Sequence, residues 1–199
     1  MCGVYAIFDQ NLKITTNDKL NSFNIFKHRG PDNTHYIELK NIFLGHHRLS
    51  IRDLSDNSNQ PKFSNKKNIV ISYNGEIYNC NELLEDLDKN NINILNRNSD
   101  TEILVNYIEI FGIEETLKKI KGMFAFVCYD INKNKIIAAR DPFGEKPLYV
   151  YVKNKNFILT SDINSIKTLM PNLDLNKKAI DYFIRLSYIP SPLSIFKDV

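Results

Sequence analysis

The chain begins MCGVYAIF (residues 1–8), and these eight residues decide the reading of the rest. A chain terminus ordinarily frays and carries disposable polar residues. Gly3–Phe8 is instead apolar and aromatic, which predicts a buried strand holding the N-terminus inside the fold. Cys2 would then be fixed in space. Removal of Met1, which a small second residue permits, would put a thiol and an α-amine on the same residue. An α-amine titrates near about 7.7–8.0, so at neutral pH it can take and return a proton. A thiol needs little more than a base within reach to act as a nucleophile. Gly3 is expected to keep the backbone beside the thiol open to a substrate.

Further strands are predicted outward from this one by β-branched and aromatic runs: 41–51 (NIFLGHHRLSI), 67–74 (KNIVISYN), 122–130 (GMFAFVCYD), 135–140 (KIIAAR), 147–152 (PLYVYV) and 157–161 (FILTS). Helical periodicity fits 17–28, 80–89, 100–111 and 162–169. Asn79 with Glu82, and Ser99 with Glu102, have the spacing of capping boxes at two helix starts. Hairpin-spaced strands with grouped helices point to an α+β layered fold rather than a parallel sheet. From about residue 170 one short helix is followed by a proline-rich extended tail, which reads as a connector towards something else.

The 199 residues suit one large domain, or a domain with a tail. With 43% hydrophobic and 25% charged residues, the composition is globular. No apolar run is long enough for a membrane helix, and no secretion signal opens the chain, so a cytoplasmic location is expected. Net charge is +3, with no basic block, which argues against a nucleic-acid surface. Three scattered cysteines make neither a disulfide scaffold nor a metal site. Cys128 reads as core, and Cys80 as incidental.

The chemistry gathers around three short motifs. YNGEIYN (73–79) places Asn74 and Gly75 where a strand gives way to a turn. An Asn amide and a Gly backbone N–H suit a developing oxyanion, although Asn-Gly alone is most often a hairpin turn. Arg48 in RLSI can grip a carboxylate, and the acids of NGE (74–76) and SDTE (99–102) can hold an ammonium. Such a set suits a free amino acid. His46 and His47 are neighbours on a strand, so they face opposite ways and form no catalytic pair. Arg29 and Asp32 read as a turn-fixing pair near the site, and Arg140 and Asp141 as structural.

MCG, HRGPD (28–32), HHRLSI (46–51), YNGEIYN, SDTE, GMFAF (122–126) and RDPFGEKPLY (140–149) occur in order. Together they resemble the glutaminase domain of glutamine-hydrolysing asparagine synthetases, which are class II glutamine amidotransferases of the N-terminal nucleophile hydrolase family. The resemblance implies a four-layer αββα sandwich of two stacked antiparallel sheets. It places the glutaminase domain at 2–169 and a connector at 170–199, leading to an ATP-dependent synthetase domain absent from this chain. By the same resemblance Cys2 is the nucleophile, its α-amine the base, and Asn74 and Gly75 the oxyanion donors. Arg48, with the backbone of Leu49 and Ile51, would hold the glutamine α-carboxylate, and Asp100 and Glu76 its α-ammonium. Glutamine is the implied substrate. No cofactor or metal is implied for this domain; ATP and Mg2+ belong to the missing one, and a homodimer is a possibility for the full-length protein.

The sequence departs from the family's usual pattern at Tyr5–Ala6 and at Arg52, and it lacks a pyrophosphate-binding SGGxDS loop. The resemblance implies, as acceptor of the ammonia, aspartate or a sugar carboxylate of surface-polysaccharide synthesis. Rival readings are a self-activating peptidase or amidase, for which a pro-segment would precede the nucleophile, and a non-catalytic regulatory domain.

Overall fold

A computed structural model describes residues 1–10 and 13–199. Among the described residues nine strands form two antiparallel sheets. The first sheet has the spatial order β2 (Asn33–Leu39), β3 (Ile42–Arg48), β1 (Gly3–Phe8), β9 (Asn156–Thr160), β8 (Tyr149–Lys153). The second runs β4 (Lys62–Phe63), β5 (Ile69–Ile77), β6 (Gly122–Asp130), β7 (Lys135–Arg140). β1 is central in the first sheet, paired with β3 on one side and β9 on the other.

Strand alternation builds the layers. Val4, Ala6 and Phe8 of β1, Ile42 and Leu44 of β3, Val70 of β5 and Val127 and Tyr129 of β6 pack together between the sheets. The opposite face of the first sheet, with Tyr5, Ile7 and Phe43, packs on Phe23 of α1 (Thr16–Asn24) and Ile166 of α4 (Ile163–Leu169). The outer face of the second sheet, with Ile69, Ile71 and Tyr73, is covered by α2 (Cys80–Lys89) and α3 (Asp100–Lys119) through Leu83, Leu87, Ile103 and Leu104. The result is the expected αββα sandwich. Cys128 and Cys80 both lie in that outer core.

Several local expectations need correction. β5 does not turn at Asn74: it runs on to Ile77, and Asn74 and Gly75 pair with Ala125 and Phe124 of β6. Asn79 does not cap α2; its side-chain oxygen accepts from the Lys121 N–H and its amide reaches Glu82 and the Lys119 carbonyl. The contact with the Lys119–Lys121 segment outcompetes the local one. Ser99 does cap α3 by accepting from the Glu102 N–H at 3.3 Å, but the Glu102 carboxylate turns to the Leu95 and Asn96 amides instead of closing a box. α1 stops four residues early, and Lys27–Arg29 forms a separate 3-10 turn. α3 extends past 111, bending at Gly112 (φ 79°), a conformation suited to glycine. β2 and β4 were not legible. β2 is a partly exposed edge strand of mixed polarity, and β4 spans two residues.

After α5 (Lys177–Leu186) the chain folds back. Leu175 bridges Phe196, the Lys197 N–H donates to the Asp174 carbonyl, and Leu173 and Val199 both pack against the helical-side core. Among the described residues no helix is long and apolar enough to cross a membrane.

Candidate active site

Parity sets the site. Even-numbered residues of β1 face between the sheets, and Cys2 lies one residue ahead of that strand. On β5, Val70, Ser72 and Asn74 share the same inward face: Val70 is in the central core, and the Ser72 hydroxyl donates to the Gly45 carbonyl of the first sheet. Cys2, Asn74, Gly75, Arg48, Leu49, Ile51, Glu76 and Asp100 all line one cavity of about 130 Å³. Every site residue expected from the sequence therefore meets in one place. Met1 also lines it, ahead of Cys2.

Cys2 is half-buried. The Leu49 N–H donates to its Sγ at 3.4 Å, and its thiol lies 3.6 Å from the Leu49 carbonyl oxygen. Burial pushes the thiol pKa up; the Leu49 N–H, the terminal amine and Arg48 oppose this. The thiol thus stays protonated near neutral pH and needs a base to release its proton. Arg29 donates through Nε to the Cys2 carbonyl at 3.2 Å and does not pair with Asp32, whose carboxylate accepts from the Ser50 N–H. Both hold the backbone around the thiol, but separately.

Gly3 has a different use from the one expected. A Cβ there would stand 2.6 Å from the Phe26 ring, so glycine lets the strand pack closely against Phe26 rather than opening a substrate path. Tyr5 buries its ring against Phe23, Phe26 and Phe43, and its hydroxyl donates to Ser22 at 2.8 Å. Of the unusual Tyr5–Ala6 pair, Tyr5 anchors β1 on its helical side while Ala6 faces between the sheets.

Asn74 is 3% exposed, and its Nδ2 has no partner among the described residues. A buried amide donor without an acceptor costs about 1–3 kcal/mol. This one lines the cavity that holds Cys2, where an oxyanion would satisfy it. Gly75 is required by close approach: a Cβ would lie 2.2 Å from the Met123 carbonyl oxygen of β6.

Asp100, at the start of α3, accepts from the Tyr73 hydroxyl at 2.8 Å and the Ile77 N–H at 3.3 Å. Burial pushes its carboxyl pKa up, opposed by these bonds and by Arg52. Glu76 is half-exposed, with Arg52 Nη1 3.7 Å away. Arg48 is 6% exposed, and its guanidinium donates to the Ser55 carbonyl at 2.8 Å, to Asn59 Oδ1 at 2.7 Å and to the Asp53 carbonyl. These bonds engage three of its five N–H donors and hold the head group rigidly at the cavity wall.

His46 and His47 do face opposite ways. His46 points between the sheets, bonded through Nε2 to the Tyr73 carbonyl, and burial lowers its pKa to about 3. His47 bonds Thr34 and the Phe23 carbonyl on the helical side. Arg140 donates to the Lys146 and Gly144 carbonyls, while Asp141 accepts from the Phe124, Glu145 and Lys146 amides, so both shape a loop. Gln60, Tyr73, Thr101, Met123 and Lys146 also line the cavity. Of these, Tyr73 was legible only as part of the motif, and nothing in the local pattern marks Gln60.

The fold is thus an αββα sandwich of two antiparallel sheets, with the Cys2 thiol held just ahead of a central strand. The fold resembles glutamine phosphoribosylpyrophosphate amidotransferase from B. subtilis complexed with ADP and GMP, at a TM-score of 0.69 and 20% identity, over 85% of this chain and 44% of that one. The chain belongs to the glutamine amidotransferase domain family, whose model matches residues 1–199. It is 33% identical over 199 residues to asparagine synthetase [glutamine-hydrolyzing] 1 of Bacillus subtilis, covering 98% of this chain and 31% of that protein. It is 34% identical over 220 residues to putative asparagine synthetase [glutamine-hydrolyzing] 2 of Methanocaldococcus jannaschii, covering 100% of this chain and 42% of that protein. The chain thus spans less than half the length of these two relatives.

Proposed function

We propose that this domain hydrolyses glutamine to glutamate and ammonia through a γ-glutamyl thioester on Cys2. The observation that carries this reading is the buried, unpartnered Asn74 amide lining the same cavity as the thiol. Loss of Met1 frees the Cys2 α-amine, which takes the thiol proton as Sγ bonds to the side-chain amide carbon of glutamine. The carbonyl electron pair moves onto oxygen, and Asn74 Nδ2 and the Gly75 N–H stabilise that oxyanion. Its collapse expels ammonia with the proton carried by the amine and leaves the thioester. Water then attacks the thioester, releasing glutamate and restoring the thiol.

Arg48, aided by the Leu49 and Ile51 backbone, holds the α-carboxylate, and Asp100 and Glu76 hold the α-ammonium. Both charges of the substrate are thereby matched, which excludes simple amides because a buried unmatched charge is costly. The names of the relatives support a further reading: residues 170–199 lead into an ATP- and Mg2+-dependent synthetase domain that uses the ammonia, with aspartate the favoured acceptor.

Mass spectrometry of the purified chain, followed by a glutaminase assay, tests the mechanism. Chains lacking Met1 should release ammonia from glutamine, and Cys2→Ala should abolish the reaction. Hydrolysis by Cys2→Ala at the parent rate, or by chains that retain Met1, would sink it.

A further inference from the structure

We propose that Gln60 is a positioning residue that sets the distance between the Asn74 amide donor and the Asp100 carboxylate. This deepens the glutaminase reading and rests on it for its kinetic arm. The register of β4 on β5 pairs Lys62 with Ile71 and Phe63 with Val70. Continued by two residues, that register sets Gln60 opposite Tyr73. Pro61 has no N–H to donate to a ladder, and β4 starts only at Lys62.

The Gln60 side chain supplies the missing ladder bonds. Its Oε1 accepts from the Tyr73 N–H at 2.7 Å, and its Nε2 donates to the Tyr73 carbonyl at 3.1 Å. Nε2 also donates to Thr101 Oγ1 at 3.2 Å. Gln60 is 5% exposed, so these are bonds screened from solvent.

Tyr73 is held at every polar group it owns. His46 Nε2 donates to the same carbonyl at 3.0 Å, and the Tyr73 hydroxyl donates to Asp100. Asn74 is the next residue of β5, and Thr101 follows Asp100 on α3. One amide therefore ties the strand carrying the oxyanion donor to the helix carrying the ammonium ligand. A displacement of either relative to the other would separate the two ends of a bound amino acid from their partners, and catalysis is sensitive to such shifts.

Gln60→Met keeps length and apolar volume while removing all three bonds. Per Cys2 titrated, it should lower kcat/KM for glutamine about ten- to a hundredfold, with KM rising and kcat falling together. Thr101→Val removes only the link to α3 and should act mainly on KM, which keeps the proposal testable if Gln60→Met folds poorly. The Gln60→Met and Asp100→Asn effects should be non-additive in a double-mutant cycle. Unchanged kcat/KM in both Gln60→Met and Thr101→Val, or strict additivity, would overturn the assignment.

A second readout needs no turnover. The Asn74 side-chain amide resonances and the hydrogen exchange of the Tyr73 amide should both change in Gln60→Met, and no change in either would overturn it equally. A parent protein that releases no ammonia from glutamine would refute the glutaminase reading alone, leaving the resonance and exchange data to decide on Gln60.

Discussion

Asn74 and Asp100 show how single residues divide the work. In the proposed mechanism Asn74 offers a donor to charge that develops only during the reaction, so Asn74→Ala should lower kcat about 10²–10³-fold with little change in KM. Steady-state kinetics checks this, and labelling of Cys2 by a glutamine-like diazo-ketone shows that the site is still assembled. Asp100 should act on binding instead. Its carboxyl is pushed above the ordinary 3.8 by burial, so on acidification it loses its charge before an exposed aspartate would. A neutral Asp100 cannot pair with an ammonium, so KM for glutamine should rise as pH falls through that range. In Asp100→Asn the KM should be high and insensitive to pH over the same window; a titration that survives the substitution belongs to another group.

Elements fix what residues alone cannot. The extension of β5 through Gly75 to Ile77, pinned residue by residue to β6, makes Asn74 and Gly75 part of a sheet rather than of a flexible turn. Gly75→Ala would drive a Cβ towards the Met123 carbonyl, so β5 and β6 must separate locally. The expected cost is about 1–3 kcal/mol by urea denaturation, with a fall in kcat beyond that of the unfolded fraction. At this scale the sequence is legible where an element has its own period or cap. β1, β6 and β7 fall where the apolar, β-branched and aromatic runs put them, and Ser99 and Asp162 begin helices by accepting amide bonds. It is not legible where a partner decides. Asn79 looks like a helix cap but spends its side chain on the Lys119–Lys121 segment, and the Asn-Gly pair that favours a hairpin is held straight by a neighbouring strand.

At the scale of the molecule, the space between the sheets is held together by packing that excludes charge. His46 sits there neutral, with its pKa lowered to about 3 by burial. Unfolding exposes it to its ordinary value of 6.5, so below that pH the unfolded chain binds a proton that the native state refuses. Stability should therefore fall as pH drops from about 6.5 towards 3, by up to about 1.4 kcal/mol per pH unit from this group. His46→Gln should be less stable at pH 7 but show a flatter loss between pH 6.5 and 4.5 in urea midpoints. An unaltered slope would assign the acid sensitivity elsewhere. The sequence by itself determined the layered α+β fold, because hairpin-spaced apolar runs and helical periods are written in residue order, and its ordered motifs, through the family they resemble, named the eight candidate site residues. Only the tertiary structure decided that Gly3 serves Phe26, that Arg48 is braced by the 53–59 loop, and that Gln60 stands in for a strand. Those facts depend on which groups meet across long sequence separations, and local propensity carries no record of such meetings.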